Sequence, residues 1–210
     1  MNLRKWFFLF WSCMAVGGIV TVISGLIMYW TTGDFEFAEI SGLKATGFNA
    51  MMMLIVGVMF GAFSQMGFFA YLTLNFIALS VFRRSYLWNA LQAYTTLFAV
   101  IGLGYLLFTD RENNWFFWLL PLLLILGSAG IASIKVKQTN GSAYVPTLFL
   151  MFVVTFIEAW PSFDGETNMS AIVFMMIPLF FCNAYQILML HRLVGTAKTD
   201  SAEGAAKPAL

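Results

Sequence analysis

The chain has 210 residues, of which 60% are hydrophobic and only 10% are charged, and its formal net charge is +1. A water-soluble domain normally carries about 25% charged residues, because its surface must face water. This composition excludes a soluble globular protein, and the near-neutral net charge gives no reason to expect a nucleic-acid partner. The sequence predicts an integral membrane protein whose immediate surroundings are the lipid bilayer.

Six continuous apolar runs follow one another along the chain, and each is long enough to cross the hydrocarbon of a bilayer. They are predicted to be helices and not barrel strands, because apolar and polar residues do not alternate within them. The runs cover residues 6–30, 48–82, 86–109, 115–134, 144–160 and 169–190. We therefore expect an all-α bundle of six transmembrane helices over residues 1–194, followed by a disordered cytoplasmic tail over residues 195–210.

The basic residues predict the orientation of the bundle. Nine of the eleven lie at the two termini and in the even-numbered loops, and the loops between the spans contribute Arg83, Arg84, Lys135 and Lys137 to that set. Because basic residues favour the cytoplasmic side, both termini are predicted to be cytoplasmic.

The second run is longer than a membrane requires. As one helix, residues 48–82 would extend about 52 Å, against about 30 Å of hydrocarbon. Two interpretations are open. The run is either one helix that tilts or projects from the membrane, or a helix that breaks near Gly67.

Small and polar side chains mark one face of the second span. At 100° per residue, the following residues point in nearly the same direction: Gly57, Gly61, Ser64, Tyr71 and Asn75. Glycines four residues apart let a second helix approach closely, and polar side chains can then link the two helices. This helix-contact stripe is interpreted either as packing within the bundle or as a contact with another membrane protein.

Amide side chains form a second pattern, which concerns depth in the membrane. Five of them lie about 8–12 Å from the predicted cytoplasmic ends of their spans: Asn75, Asn89, Gln92, Asn183 and Gln186. We expect a polar layer that joins the second, third and sixth spans through interhelical hydrogen bonds, although each amide could instead satisfy itself locally.

The remaining polar residues give no sign of catalysis. Glu158 precedes Trp160 and Pro161 and is expected to be solvated at the outer interface, the alternative being a proton relay. Cys13 and Cys182 are expected to be small buried hydrophobes. None of the motifs that mark metal sites, nucleophilic serines or phosphate loops occurs in the sequence. We therefore expect no enzyme activity, no cofactor and no metal.

Several long blocks of this sequence resemble one known family. They are SQMGFFAYLTLN from Ser64, LWNALQ from Leu87, KVKQTN from Lys135, AYVPTLFLMFVVTFIEAWP from Ala143 and CNAYQILMLHRL from Cys182. These blocks are similar to the KinB-signalling pathway activation protein family, KbaA. The resemblance extends from the first span to about Leu193.

The resemblance implies a multi-pass protein of the cytoplasmic membrane that acts positively on a sensor histidine kinase feeding the sporulation phosphorelay. It implies no catalytic residue. The contact with such a kinase is predicted on the face of Gly57, Gly61 and Ser64 within the membrane. The basic loop residues at the cytoplasmic surface are the alternative contact. The alternative is a small-solute transporter or membrane sensor that acts on signalling indirectly, with the amides lining a cavity.

Overall fold

A computed structural model describes residues 3–33, 43–82, 84–109, 116–163 and 169–205. Four long helices come first: α1 Leu3–Thr32, α2 Leu43–Val81, α3 Ser85–Thr109 and α4 Phe116–Gln138. A short 3-10 turn, Gly141–Ala143, leads into α5 Tyr144–Phe149, a π-helical segment Leu150–Val154 and α6 Thr155–Glu158. A second 3-10 turn, Trp160–Phe163, precedes α7 Met169–Ala205. No strand occurs in these ranges, so the all-α prediction is confirmed for them.

Six helical segments are long and apolar enough to cross a membrane, as predicted. They are Arg4–Thr31, Lys44–Val81, Ser85–Leu107, Trp118–Gln138, Gly141–Glu158 and Met169–Leu190. The protein is therefore a multi-pass membrane bundle, and six crossings bring both ends of the chain to the same side. The identity of that side stays a prediction from the basic residues. The division at residue 194 also stays a prediction, although α7 is helical to Ala205.

The long second span is one continuous helix of 39 residues, with no break near Gly67. At 1.5 Å per residue it measures about 58 Å, so it must tilt or extend beyond the hydrocarbon. The first of the two interpretations is the one that the structure supports.

The bundle has two main features: the pairing of α1 with α2, and a central fifth span. Helices α1 and α2 lie side by side along much of their length, and α7 packs against both. The fifth span lies in the middle of the bundle and contacts α2, α3, α4 and α7. Its π-helical segment is the most buried part of the fold, with every side chain at most 9% exposed. A helix that is apolar on all sides is expected in such a central position.

Candidate functional site

The approach of α1 to α2 depends on glycine. A Cβ added at Gly57 would lie 2.6 Å from the Gly17 carbonyl oxygen, and one added at Gly61 would lie 2.7 Å from the Met14 Cα. Only hydrogen fits between these backbones. Helix α1 therefore covers the glycine face of α2, and Gly57 and Gly61 contact a helix of the same chain. This arrangement is the small-residue contact of membrane helices.

Buried and half-buried polar side chains of four helices meet beside this contact, and we call them the Asn183 network. Its members are Cys13 of α1, Ser64 of α2, Thr155 and Glu158 of α6, and Asn183 and Gln186 of α7. Asn183 and Gln186 are one helical turn apart, so both point to the same side of α7. Both are fully buried.

Asn183 is the centre of this network. Its Oδ1 accepts a hydrogen bond of 3.0 Å from the Ser64 hydroxyl. Its Nδ2 donates to Thr155 Oγ1 at 3.0 Å and to Glu158 Oε2 at 2.7 Å. One amide therefore ties α2 and the fifth span to α7, which is the use of polar side chains that membrane bundles favour.

Gln186 extends the network towards α1. Its Nε2 donates to Ser64 Oγ at 2.6 Å and lies 3.1 Å from the Cys13 sulfur. The Cys182 thiol lies next to these groups and donates to the Cys13 carbonyl oxygen at 3.7 Å. Both thiols are free and buried, and they pack as small side chains beside the amides of the network.

Glu158 was expected to be solvated at the outer interface, and that expectation is wrong. Its carboxyl group contacts Asn183, which lies about 21 Å along α7 from Met169. The carboxyl group at the end of the fifth span therefore points towards α7 inside the bundle, although Glu158 as a whole is half-buried. The Glu158 Oε1 atom is buried and accepts no hydrogen bond from the described residues.

Gly67 explains how the carboxyl group fits between the helices. A Cβ at this position of α2 would collide with Glu158 Oε1 and would crowd the Val154 side chain. The glycine that suggested a helix break is thus needed for a close approach by a side chain. Helix α2 continues through Gly67 without a break, because glycine can adopt helical backbone angles.

The predicted single polar layer is instead divided into separate groups. Asn183 and Gln186 belong to the network described above, whereas Asn75 accepts a 2.8 Å hydrogen bond from the Trp88 indole and joins α2 to α3. Gln92 is buried on α3, and its amide makes no hydrogen bond to the Asn183 network. Asn89 is half-buried on the same helix.

Tyr71, on the C-terminal side of Ser64 in the α2 stripe, contacts the fifth span. Tyr71 is 5% exposed, and its hydroxyl donates to the Pro146 carbonyl oxygen at 3.2 Å. The five stripe residues therefore meet four different partners within the chain: α1 at the glycines, α7 at Ser64, the fifth span at Tyr71 and α3 at Asn75.

The predicted basic surface is smaller than expected. Lys135 is buried, and its Nζ donates to the Ile187 carbonyl oxygen of α7 at 2.6 Å. It serves packing inside the bundle and is not available to a partner. Arg84 and Lys137 are exposed, while Arg83 lies outside the described residues.

Comparison with known proteins decides the family. The family model described as "KbaA: KinB-signalling pathway activation in sporulation" matches residues 17–193. This chain belongs to the KbaA family. A curated relative, the KinB-signaling pathway activation protein of Bacillus subtilis (strain 168), is 36% identical over 189 residues, which cover 87% of this chain and 93% of the relative. No solved structure gives a significant match.

The part of the chain that matches the KbaA family contains most of the Asn183 network. The matched range includes Ser64, Thr155, Glu158, Asn183 and Gln186 and begins only after Cys13. The KbaA family is described by its place in signalling and not by a chemical reaction. The network thus belongs to the region that this KbaA chain shares with the family model.

Glu158 is the site residue whose position the sequence did not predict correctly. A signal was available, since an acid within an apolar run is by itself a reason to suspect a functional site. The neighbouring Trp160 and Pro161 suggested an interface instead. The error arose because the depth at which a span ends depends on its tertiary contacts.

Replacing Lys135 by methionine is expected to destabilise this KbaA protein by about 1.5–3 kcal/mol, because a hydrogen bond from a charged donor is lost. The Ile187 carbonyl keeps its place on α7, but α4 loses its polar link to that helix. The matched control is Lys137→Met, since Lys137 is exposed and should change stability little. Thermal unfolding of the two purified variants in the same detergent measures the difference, and equal melting temperatures would refute the structural role.

Proposed function

We propose that this chain is a membrane accessory protein that activates a sensor histidine kinase feeding the sporulation phosphorelay, by contact within the cytoplasmic membrane. The observation that supports the contact is that the described residues form membrane spans, their short connections and the end of α7, without a separate soluble domain. A protein of this shape offers a kinase mainly its lipid-facing surface. Family membership supplies the pathway, and the relative's name supplies the direction of the effect, which is activation.

Such a contact activates only if it favours one signalling state of the kinase over the other. A tenfold change in the population ratio needs about 1.4 kcal/mol of differential binding. That is within the range of one or two interhelical packing contacts or hydrogen bonds in a membrane.

The proposed contact surface differs from the face of Gly57, Gly61 and Ser64, because α1 and α7 cover that face. Lipid-facing grooves are better candidates. One apolar groove of about 310 Å³ lies between α4 and α7, and Leu123 and Phe181 are among the residues that line it. Exposed Arg84 and Lys137 remain candidates for a second contact at the membrane surface.

Site-specific photocrosslinking in sporulating cells tests the contact. A photoreactive residue is placed at one lipid-facing position on each of five helices: Trp11, Phe63, Tyr94, Leu123 and Phe181. At least one position is expected to yield adducts that contain the kinase. Ser64 is the internal control, because it is fully buried and should form no intermolecular adduct. Absence of adducts from every exposed position, in variants that still activate the kinase, would contradict a contact within the membrane.

The second candidate function is a small-solute transporter or sensor that acts on signalling indirectly. The buried polar groups of the Asn183 network are the observation that favours it, since neutral amides can bind a neutral solute. Cys182, which would face solvent in such a cavity, is instead fully buried and donates to a backbone carbonyl. The contact mechanism is therefore the better supported of the two.

A further inference from the structure

One face of α3 carries large side chains at the spacing of a coiled coil. They follow one another at alternating intervals of four and three residues, and each is at least 43% exposed: Leu87, Leu91, Tyr94, Phe98, Ile101 and Tyr105. We call these six residues the α3 seam. This alternation keeps one stripe of a helix turned towards a second helix over several turns. No helix among those that the structure describes covers the α3 seam.

Tyr94 occupies an unusual depth for a tyrosine. It lies nine residues after the start and thirteen before the end of the span Ser85–Leu107, which places it about 13 Å and about 20 Å from the two ends. Tyrosines in membrane proteins are enriched at the interfaces, where the hydroxyl meets water. The Tyr94 side chain is 60% exposed, and its ring lies against Phe98 with 4.4 Å between the ring centroids. Its hydroxyl therefore faces the hydrocarbon near the middle of the bilayer.

The Tyr94 hydroxyl forms no hydrogen bond with any residue that the structure describes. Hydroxyls of the neighbouring Thr95 and of the exposed Thr73 and Ser133 donate instead to carbonyl oxygens four residues earlier in their own helices. Tyrosine lacks this solution, because its ring holds the hydroxyl away from its own backbone. An unpaired hydroxyl in hydrocarbon is unfavourable, so the α3 seam calls for a polar group from outside the chain.

A second copy of the same chain supplies such a group by symmetry. All copies cross the membrane in one orientation, so a twofold axis along the membrane normal brings each seam residue to the same residue of the second copy, at the same depth. A tyrosine hydroxyl both donates and accepts hydrogen bonds, so two Tyr94 hydroxyls can pair with each other. The α3 seam is thus complementary to itself in depth, in apolar surface and in hydrogen bonding.

We infer that two copies of this chain associate through the α3 seam, with the two Tyr94 hydroxyls hydrogen bonded to each other. From Leu87 to Tyr105 the seam extends about 27 Å, which is most of the thickness of the hydrocarbon. Helices that pack at this spacing cross at a small left-handed angle, the commonest arrangement in membrane bundles. The inference is independent of the proposed contact with a kinase, because the groove between α4 and α7 contains no seam residue.

Disulfide crosslinking in membranes tests the contact between two copies. Ile101→Cys places a thiol on the α3 seam, and the matched control is Leu126→Cys on α4, since these side chains are 58% and 60% exposed. Both positions lie towards the membrane side at which α3 connects to α4. Membranes from an expression host that lacks the kinase are oxidised with copper phenanthroline. A disulfide-linked dimer is expected from Ile101→Cys, but not from Leu126→Cys or from the wild type, whose two cysteines are buried. Equal crosslinking of both variants, or none from Ile101→Cys, would overturn the inference.

The variant Tyr94→Phe tests the hydroxyl pair, because it keeps the ring and removes only the polar atom. Energy transfer between donor-labelled and acceptor-labelled copies, measured in liposomes at increasing lipid dilution, gives the dissociation constant of the dimer. A rise of about 3-fold to 30-fold is expected from the loss of one interhelical hydrogen bond. Tyr86→Phe is the control, since Tyr86 is exposed at the start of α3 and lies outside the seam, and it should leave the constant unchanged. An unchanged constant in Tyr94→Phe would contradict the hydroxyl pair.

Neither experiment contains the kinase, so failure here leaves the photocrosslinking test of the proposed function unaffected. The two tests together also identify a different occupant of the seam. If no dimer forms in membranes, while a photoreactive residue at Tyr94 captures the kinase in sporulating cells, the α3 seam is a contact for the kinase and the inference of a dimer is wrong.

Discussion

The double substitution Gly57→Ala with Gly61→Ala is expected to separate α1 from α2 and to destabilise the folded bundle severely. Each new methyl group would meet backbone atoms: the Gly17 carbonyl oxygen in one case, and the Met14 Cα and Cys13 carbonyl oxygen in the other. Backbone cannot move aside by changing rotamer, as a side chain can. Overpacking a well-packed contact typically costs 1–3 kcal/mol per site, so a loss of about 2–6 kcal/mol is expected for the pair.

The consequences of this substitution extend beyond the glycines. Moving α1 away also withdraws Cys13 from Gln186, and it breaks the 3.2 Å hydrogen bond from Gln65 to the Leu9 carbonyl. We therefore expect loss of the polar network together with loss of helix packing. Thermal unfolding in detergent and the amount of folded protein in membranes both measure the effect.

The matched control is Gly102→Ala with Gly130→Ala. An added Cβ at either position meets nothing within 4 Å, and both glycines lie within helices. Alanine favours helix over glycine, so the control should be neutral or slightly stabilised. If the two double variants melted at the same temperature, the close α1–α2 contact would be refuted.

Replacing Asn183 by leucine is expected to have the second-largest effect. The change removes one acceptor and two donors at once, and it leaves Glu158 and Thr155 without the amide that binds them. Single interhelical hydrogen bonds in membranes contribute only about 0.6–2 kcal/mol. A hydrogen bond to a charged group is worth more, about 1.5–3 kcal/mol, so loss of the bond to the Glu158 carboxylate should dominate.

A double-mutant cycle distinguishes the charge from simple loss of packing. In the Glu158→Gln background the group left unpaired is neutral, so Asn183→Leu should cost clearly less than it does in the wild type. Asn89→Leu provides the comparison at a half-buried asparagine on α3, outside the network. A cost for Asn183→Leu that is the same in both backgrounds would show that the Asn183–Glu158 hydrogen bond carries no coupling energy.

The candidate site was predicted in part. The sequence identified Ser64, Asn183 and Gln186 as polar residues that link helices, because a polar side chain in an apolar run has few other uses. It did not predict that Asn75 and Gln92 would be separated from them, and it placed Lys135 on the surface although the side chain is buried. Each of these errors concerns which residue a polar side chain contacts. That residue lies on another helix, and the sequence around the side chain does not indicate it.

The sequence by itself determined the membrane location, the six spans and the family, because apolar run length and sequence similarity are properties of the chain alone. Only the tertiary structure decided that α1 covers the glycines of α2 and that Glu158 turns inward to Asn183. In a soluble helix the apolar stripe shows which side faces the core, but lipid is as apolar as the interior of a membrane bundle. The rotation and depth of each span are therefore set by close packing and polar contacts between helices, which exist only once the helices have assembled.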